Sequence, residues 1–155
     1  MASGAFIPVS VARHYPTQPL LAVSTAVVRE GKILLGQRRK PPFHHIYSLP
    51  GGMVELGETL IEAAQRELRE ETHVQADQFV FNGHAELITR DESGQIRTHY
   101  VIASFVARWQ QGEPQASEEM DHFIWADQTQ LADLPLTPGL QELLRRASEL
   151  GTGAG

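Results

Sequence analysis

With 155 residues, 41% of them hydrophobic and none of them cysteine, the chain can bury one sizeable core and cannot use disulfides, thiolate metal sites or a cysteine nucleophile. Its formal net charge of −6, with no basic run able to neutralise a phosphate backbone, argues against a nucleic-acid polymer as a bulk partner. The longest apolar stretch, Leu20 to Val28, is broken by Ser24 and Thr25 and is too short to span a membrane, and Met1 to Gln18 carries no secretory pattern, so a cytoplasmic address is the default expectation.

In chain order, a Pro-punctuated lead over residues 1–19 precedes two predicted strands, Leu21 to Val28 and Lys32 to Arg38, joined at the turn signal Glu30-Gly31. Lys40 to His45 reads as a loop. Ile46 to Leu49 reads as a strand ending in the tight turn Pro50-Gly51-Gly52, where glycines let backbone groups approach a ligand. Thr59 and Glu62 form a capping box, and Leu60, Ile61, Ala64 and Leu68 recur at helical spacing, which predicts a helix from Leu60 to Thr72. Phe79 to Thr89 and Ile96 to Trp109 are rich in β-branched and aromatic residues and flank Asp91-Glu92-Ser93-Gly94, the pattern of a long hairpin. Phe123 to Trp125 is a short strand. Thr137 is the expected N-cap of a last helix with Pro138 in its first position, and Leu140, Leu143, Leu144 and Ala147 as its core stripe. Without a repeat or linker, the chain is expected to form one domain over 1–155, with its core at about 20–149 and a flexible tail at 150–155. Strands on both sides of one helix, then a terminal helix, imply a mixed sheet covered on two faces.

The helix over Leu60 to Thr72 carries acids that solubility does not require. At ~100° per residue, Glu67 and Glu71 fall about 20° either side of the Leu60 direction, and Glu70 lies about 60° beyond Glu67. Three carboxylates on one flank repel one another across a single turn unless something positive sits among them. The bland reading is a solvated helix with Arg66 bridging Glu62 and Glu70, and for an isolated acidic string that reading is the better one. The preceding Gly51-Gly52 turn, Glu55, Gly57 and Glu58 shift the balance towards a metal and phosphate site.

These residues resemble the Nudix box, G-x5-E-x7-R-E-U-x-E-E-x-G-U with U aliphatic. Gly52, Glu58, Arg66, Glu67, Leu68, Glu70, Glu71 and Val74 match, and His73 stands where the pattern has its last glycine. That position closes the helix, so His73 bears on the helix end rather than on the chemistry. Weaker likenesses, at Ile46 to Gly52 and at Leu134 to Leu140, extend the resemblance across roughly Leu21 to Ala147.

The resemblance implies an α/β/α sandwich with a mixed central β-sheet, and Mg²⁺ (or Mn²⁺) held by Glu67, Glu70, Glu71 and the Gly51 carbonyl. Electrostatics agrees, because one carboxylate about 5 Å from one phosphate charge costs ~3 kcal/mol at an effective dielectric of ~20. Gly52, Glu58 and Arg66 are expected to support the loop, with Arg66 and Glu58 as a positioning pair. The implied reaction is hydrolysis of the diphosphate linkage in a nucleoside diphosphate joined to another group, with ADP-ribose or a related nucleotide sugar first in order. The alternatives are a nucleoside triphosphate house-cleaning pyrophosphatase and a nucleotide sensor without turnover. A variant transferring a sugar from GDP-mannose to water is disfavoured because that subgroup has a broken box, whereas Arg66 to Glu71 is complete here. The general base is Glu67 or an acid of the loop Gly112 to His122, where Glu119 is preferred, as base or further metal ligand. Tyr47, Tyr100, Phe43 and Trp125 are candidates to stack on a base, and Arg38, Arg39 and Arg97 to hold a phosphate or ribose. The oligomeric state is open, a homodimer being frequent in the family.

Overall fold

The computed structural model describes residues 12–41 and 43–152. Its elements are β1 (Leu20–Arg29), β2 (Lys32–Arg38), β3 (Tyr47–Ser48), β4 (Gly51–Met53), α1 (Leu60–Thr72), β5 (Gln75–Arg90), β6 (Ile96–Gln111), β7 (Met120–Ala126), α2 (Gln128–Leu131) and α3 (Leu140–Thr152). The strands form one mixed seven-stranded sheet in the order β3-β2-β1-β6-β5, with β4 added to β1 and β7 to β2.

Strand β1 organises this sheet. It runs parallel to β6 from Leu20 opposite Tyr100 to Val28 opposite Arg108. It is antiparallel to β2 at Val28 and Arg29, and to β4 at Ala22 to Ser24. The predicted turn at Glu30-Gly31 has positive φ at both residues, 51° and 76°, as a tight hairpin that follows strand twist requires.

Side-chain alternation sends the two faces of each strand to different helices. Val23, Val27, Leu34, Ala103 and Phe105 face Ala63, Ala64 and Leu68 of α1. Ala26, Ile33, Leu35 and Val106 face Leu140, Leu144 and Ala147 of α3. The result is the expected α/β/α sandwich. Leu34, Val27, Leu68 and Val74 are at most 1% exposed, each stabilising the fold by about 1.5–3 kcal/mol of apolar burial.

Helix α1 spans the predicted residues. Thr59 Oγ1 accepts from the Glu62 amide at 3.1 Å and Glu62 returns an acceptor to the Thr59 amide at 3.4 Å, the reciprocal capping box. At its other end His73 takes φ 64° and donates its amide to the Arg69 carbonyl, so histidine does occupy the left-handed position where the box pattern has glycine. Several boundaries differ from expectation, β5 beginning at Gln75 rather than Phe79 and β7 at Met120 rather than Phe123. Helix α3 starts at Leu140 rather than at Pro138 after a Thr137 cap, because Gly139 has φ 82° and a left-handed residue cannot lie within a right-handed turn. The same helix runs on through Gly151 and Thr152, which the tail expectation had excluded, while 153–155 lie outside the described residues. A short helix at Gln128–Leu131, capped by Asp127, was not anticipated. Of the lead, 1–11 also lie outside the described residues. No described helix is long and apolar enough to cross a membrane.

Candidate active site

The site begins where β4 closes on β1. Gly51 and Gly52 pair with Ser24 and Val23, and a Cβ on Gly51 would run into the Val23 carbonyl. On Gly52 a Cβ would stand 2.6 Å from the Glu67 carboxyl group. Glycine is therefore required on steric grounds at Gly51, where the obstacle is backbone, whereas a side chain at Gly52 would displace the α1 acid that rests directly against it.

Behind that loop, Arg66 is the hub. Its Nε and Nη2 donate to the two Glu58 carboxylate oxygens at 2.7 and 2.8 Å, a bidentate pair, and Nη2 also donates to the Met53 carbonyl at 3.0 Å. Nη1 reaches Glu67 at 2.9 Å and Glu70 at 3.2 Å. One guanidinium thus joins the loop before the helix to two of its three acids. Glu58 responds most: the Arg66 hydrogen bonds, and then the Glu55 amide, hold its carboxyl down at about 2.

The three helical acids have unlike surroundings. Glu70 is exposed, Glu67 is half-buried and Glu71 is only 4% exposed. Burial raises Glu67 above the usual carboxylate range against the opposing pull of Arg66. Burial acts more strongly on Glu71 and pushes it up to about 8, although the Gly51 amide donates to its Oε2 at 2.9 Å and the charge of Arg38 opposes the shift.

Above the glycine loop, on the α3 side of the sheet, lies a cleft of about 370 Å³. Of the residues singled out from sequence, Gly51, Gly52, Arg38, Phe43, Tyr100 and Glu119 line it. Glu119 is ion-paired to Lys40 at 2.6 Å, and its charge adds to the upward pressure on Glu71.

Four expected substrate residues are not brought to the cleft. Trp125 packs beside Leu34 and Leu68 on the α1 face, with the Arg29 guanidinium 5.6 Å from its ring centre. Tyr47 packs against the α3-side core, its backbone bonded to Pro135 and Thr137. Arg97 has the wrong parity: Thr98, Tyr100 and Ile102 line the cleft, so period-2 alternation turns Arg97 to the other face, exposed beside Tyr15. Arg39 is engaged with the Ser117 carbonyl at 2.7 Å and with Asp121 at 3.6 Å. Conversely, Arg13, His14 and Ser24 line the cleft without having been foreseen. Ser24 carried a signal, since it interrupts a buried apolar strand; Arg13 and His14 carried none.

The donors of this site fit a hard divalent cation. Glutamate oxygens and a glycine carbonyl are its preferred ligands, and a cation would offset the desolvation that keeps Glu71 protonated. Among the described residues no three acidic or histidine side chains converge on one point as they stand, because Glu67 and Glu70 are turned to Arg66. A cation at this place would compete with that guanidinium for both acids.

Comparison with known proteins agrees with this architecture. The family model for the NUDIX domain matches residues 18–147, so the chain belongs to the Nudix family. It is 48% identical over 54 residues to an ADP-ribose pyrophosphatase of Methanocaldococcus jannaschii, a stretch covering 35% of this chain and 32% of that protein. The chain thus spans less than a third of that relative's length. Among solved structures it resembles a MutT NUDIX hydrolase from Burkholderia pseudomallei, with TM-score 0.71, 28% identity, and 83% of this chain and 98% of the other covered. It also shares the fold of the NUDIX domain of Shewanella oneidensis NrtR, solved with ADP ribose, with TM-score 0.71, 24% identity and coverage of 86% and 88%.

Proposed function

We propose that the protein hydrolyses the diphosphate linkage of a nucleoside diphosphate joined to another moiety, with ADP-ribose or a related nucleotide sugar as substrate and Mg²⁺ or Mn²⁺ as cofactor. The observation that carries this reading is the contact of Glu71 and Glu67 with the Gly51-Gly52 loop at the floor of a cleft large enough for a nucleotide. The named activity of the archaeal relative supports ADP-ribose over other diphosphates.

In this reading Glu67, Glu70, Glu71 and the Gly51 carbonyl hold the cation. When bound, it neutralises phosphate oxygens and lowers the pKa of a coordinated water. Arg66 and Glu58 keep the loop in register with α1. Phe43 and Tyr100 offer apolar walls to the base or sugar, and Arg38 offers a guanidinium to phosphate oxygens. Glu119, released from Lys40, takes the proton of the attacking water as general base. Water adds to one phosphorus, the bridging oxygen leaves with the other, and ADP-ribose yields AMP and ribose 5-phosphate. Exposed Val80, Phe81 and Ile88 on edge strand β5 would suit pairing with a second copy, and sedimentation of the pure protein decides between monomer and dimer.

The test is incubation with Mg²⁺ and ADP-ribose, nucleotide sugars, dinucleoside polyphosphates and dNTPs, with identification of products. AMP plus ribose 5-phosphate is expected. Nucleoside monophosphate plus pyrophosphate would transfer the assignment to triphosphate house-cleaning, and binding without cleavage would make the protein a sensor.

A further inference from the structure

Residues 12–19, just before β1, have no regular secondary structure, yet they are fastened. The Tyr15 amide donates to the Arg97 carbonyl at 2.8 Å, and the Tyr15 hydroxyl donates to Asp91 Oδ2 at 3.0 Å. Asp91 is itself fixed within the β5–β6 turn, where its Oδ1 accepts from the Ser93 amide and hydroxyl at 3.0 and 2.7 Å and from the Gln95 amide at 2.9 Å. Tyr15 has φ 52°, a left-handed conformation that is strained for a bulky residue and persists where surroundings impose it. A half-exposed tyrosine has little packing to gain from that strain.

What the fastening achieves is the delivery of Arg13 and His14 into the cleft wall. Two other observations single out Arg13. Lys40, another cation of the cleft, is occupied by Glu119, whereas no hydrogen bond or ion pair engages the Arg13 side chain among the described residues. The charge of Arg13 acts on Glu67, so it stands within electrostatic reach of the acid that rests against the Gly52 backbone. Arg38, which has no ion pair among the described residues, acts in the same way on Glu71. Two guanidiniums from unrelated parts of the chain therefore address the place where the diphosphate would sit, and a planar fork matches phosphate oxygens.

Building on the proposed hydrolysis, we infer that Arg13 is a substrate-binding residue that grips phosphate oxygens of the diphosphate compound, and that Tyr15 and Asp91 are the positioning residues that hold it there. Nothing in the box encodes this contact.

Wild type, R13A, R13K and Y15F are compared in two assays: turnover of ADP-ribose with Mg²⁺, and calorimetric binding of ADP-ribose with Ca²⁺ replacing Mg²⁺. R13A is expected to raise KM and Kd about 10- to 100-fold while kcat changes less than about 3-fold, with added guanidinium restoring part of the loss. R13K recovers only part, because a point charge does not reproduce the fork. Y15F gives a smaller KM increase of about 3- to 10-fold, with melting temperature unchanged for all variants because both residues are exposed. Unchanged KM and Kd in R13A overturn the inference even when wild type is active. A wild type that binds without cleaving defeats the catalytic reading alone, since the Kd comparison still tests Arg13. Absence of binding by wild type overturns both.

Discussion

The Gly51 amide and the Glu71 carboxylate meet at 2.9 Å, tying the first residue of β4 to the last turn of α1 across a site from which water is largely excluded. Everything proposed for the chemistry depends on what that acid does when it is charged.

In metal-free protein Glu71 keeps its proton up to about pH 8, whereas in the unfolded chain it ionises near 4.5. Between those values unfolding releases a proton, so stability falls as pH rises through the window. E71Q removes the charge and keeps the shape. In the presence of a chelator at pH 8, it is expected to melt higher than wild type by about 3 °C, equivalent to ~1 kcal/mol, and to show less loss of stability between pH 5 and 8. It should also abolish turnover. Thermal melts against pH check the first claim, and full activity in E71Q would remove Glu71 from the catalytic set.

Glu58 titrates the other way. Its folded value of about 2 lies below its ordinary 4.5, so the stability it contributes is complete above about 4.5 and is lost as pH falls towards 2. E58Q is expected to flatten the acid limb of the stability curve and to lower kcat about 10- to 100-fold through Arg66, without contact with substrate. Acid melts that superimpose on wild type would refute the pairing.

Gly52→Ala places a methyl group where the Glu67 carboxyl now lies. The acid must move by about the 1 Å that costs on the order of 100-fold in rate, while the circular dichroism spectrum stays native. An active G52A variant would mean that Glu67 is not held at this place during turnover.

Thr25 is fully buried in β1 and its Oγ1 has no hydrogen-bond partner among the described residues. T25V keeps the shape and removes the orphaned hydroxyl. It is expected to stabilise the protein by about 1 kcal/mol in denaturant titration, with activity unchanged. Destabilisation would show that Oγ1 has a partner after all.

Legibility from sequence followed the range of the interactions. Thr59, Glu62 and the Leu60 to Leu68 spacing determine α1 within thirteen residues, and those local terms suffice. The sorting of aromatics did not follow, because only the strand order decides that Tyr100 faces the cleft while Trp125 and Tyr47 enter core clusters. Arg97 failed on parity, one residue away from a position that lines the cleft. Arg13 was invisible for a different reason: it reaches the site through a hydrogen bond between residues 76 positions apart.

Strand β1 offers one edge to β4, which carries the glycine loop, and the other to β6, whose Ser104 bonds Ser24 from 80 residues away. On a ribosome the box is synthesised long before β6 emerges. A nascent chain therefore bears its cluster of acids unassembled for dozens of further peptide bonds. Because so distant a parallel pair closes slowly, that strand pairing rather than formation of the early helix is the step expected to set the folding rate.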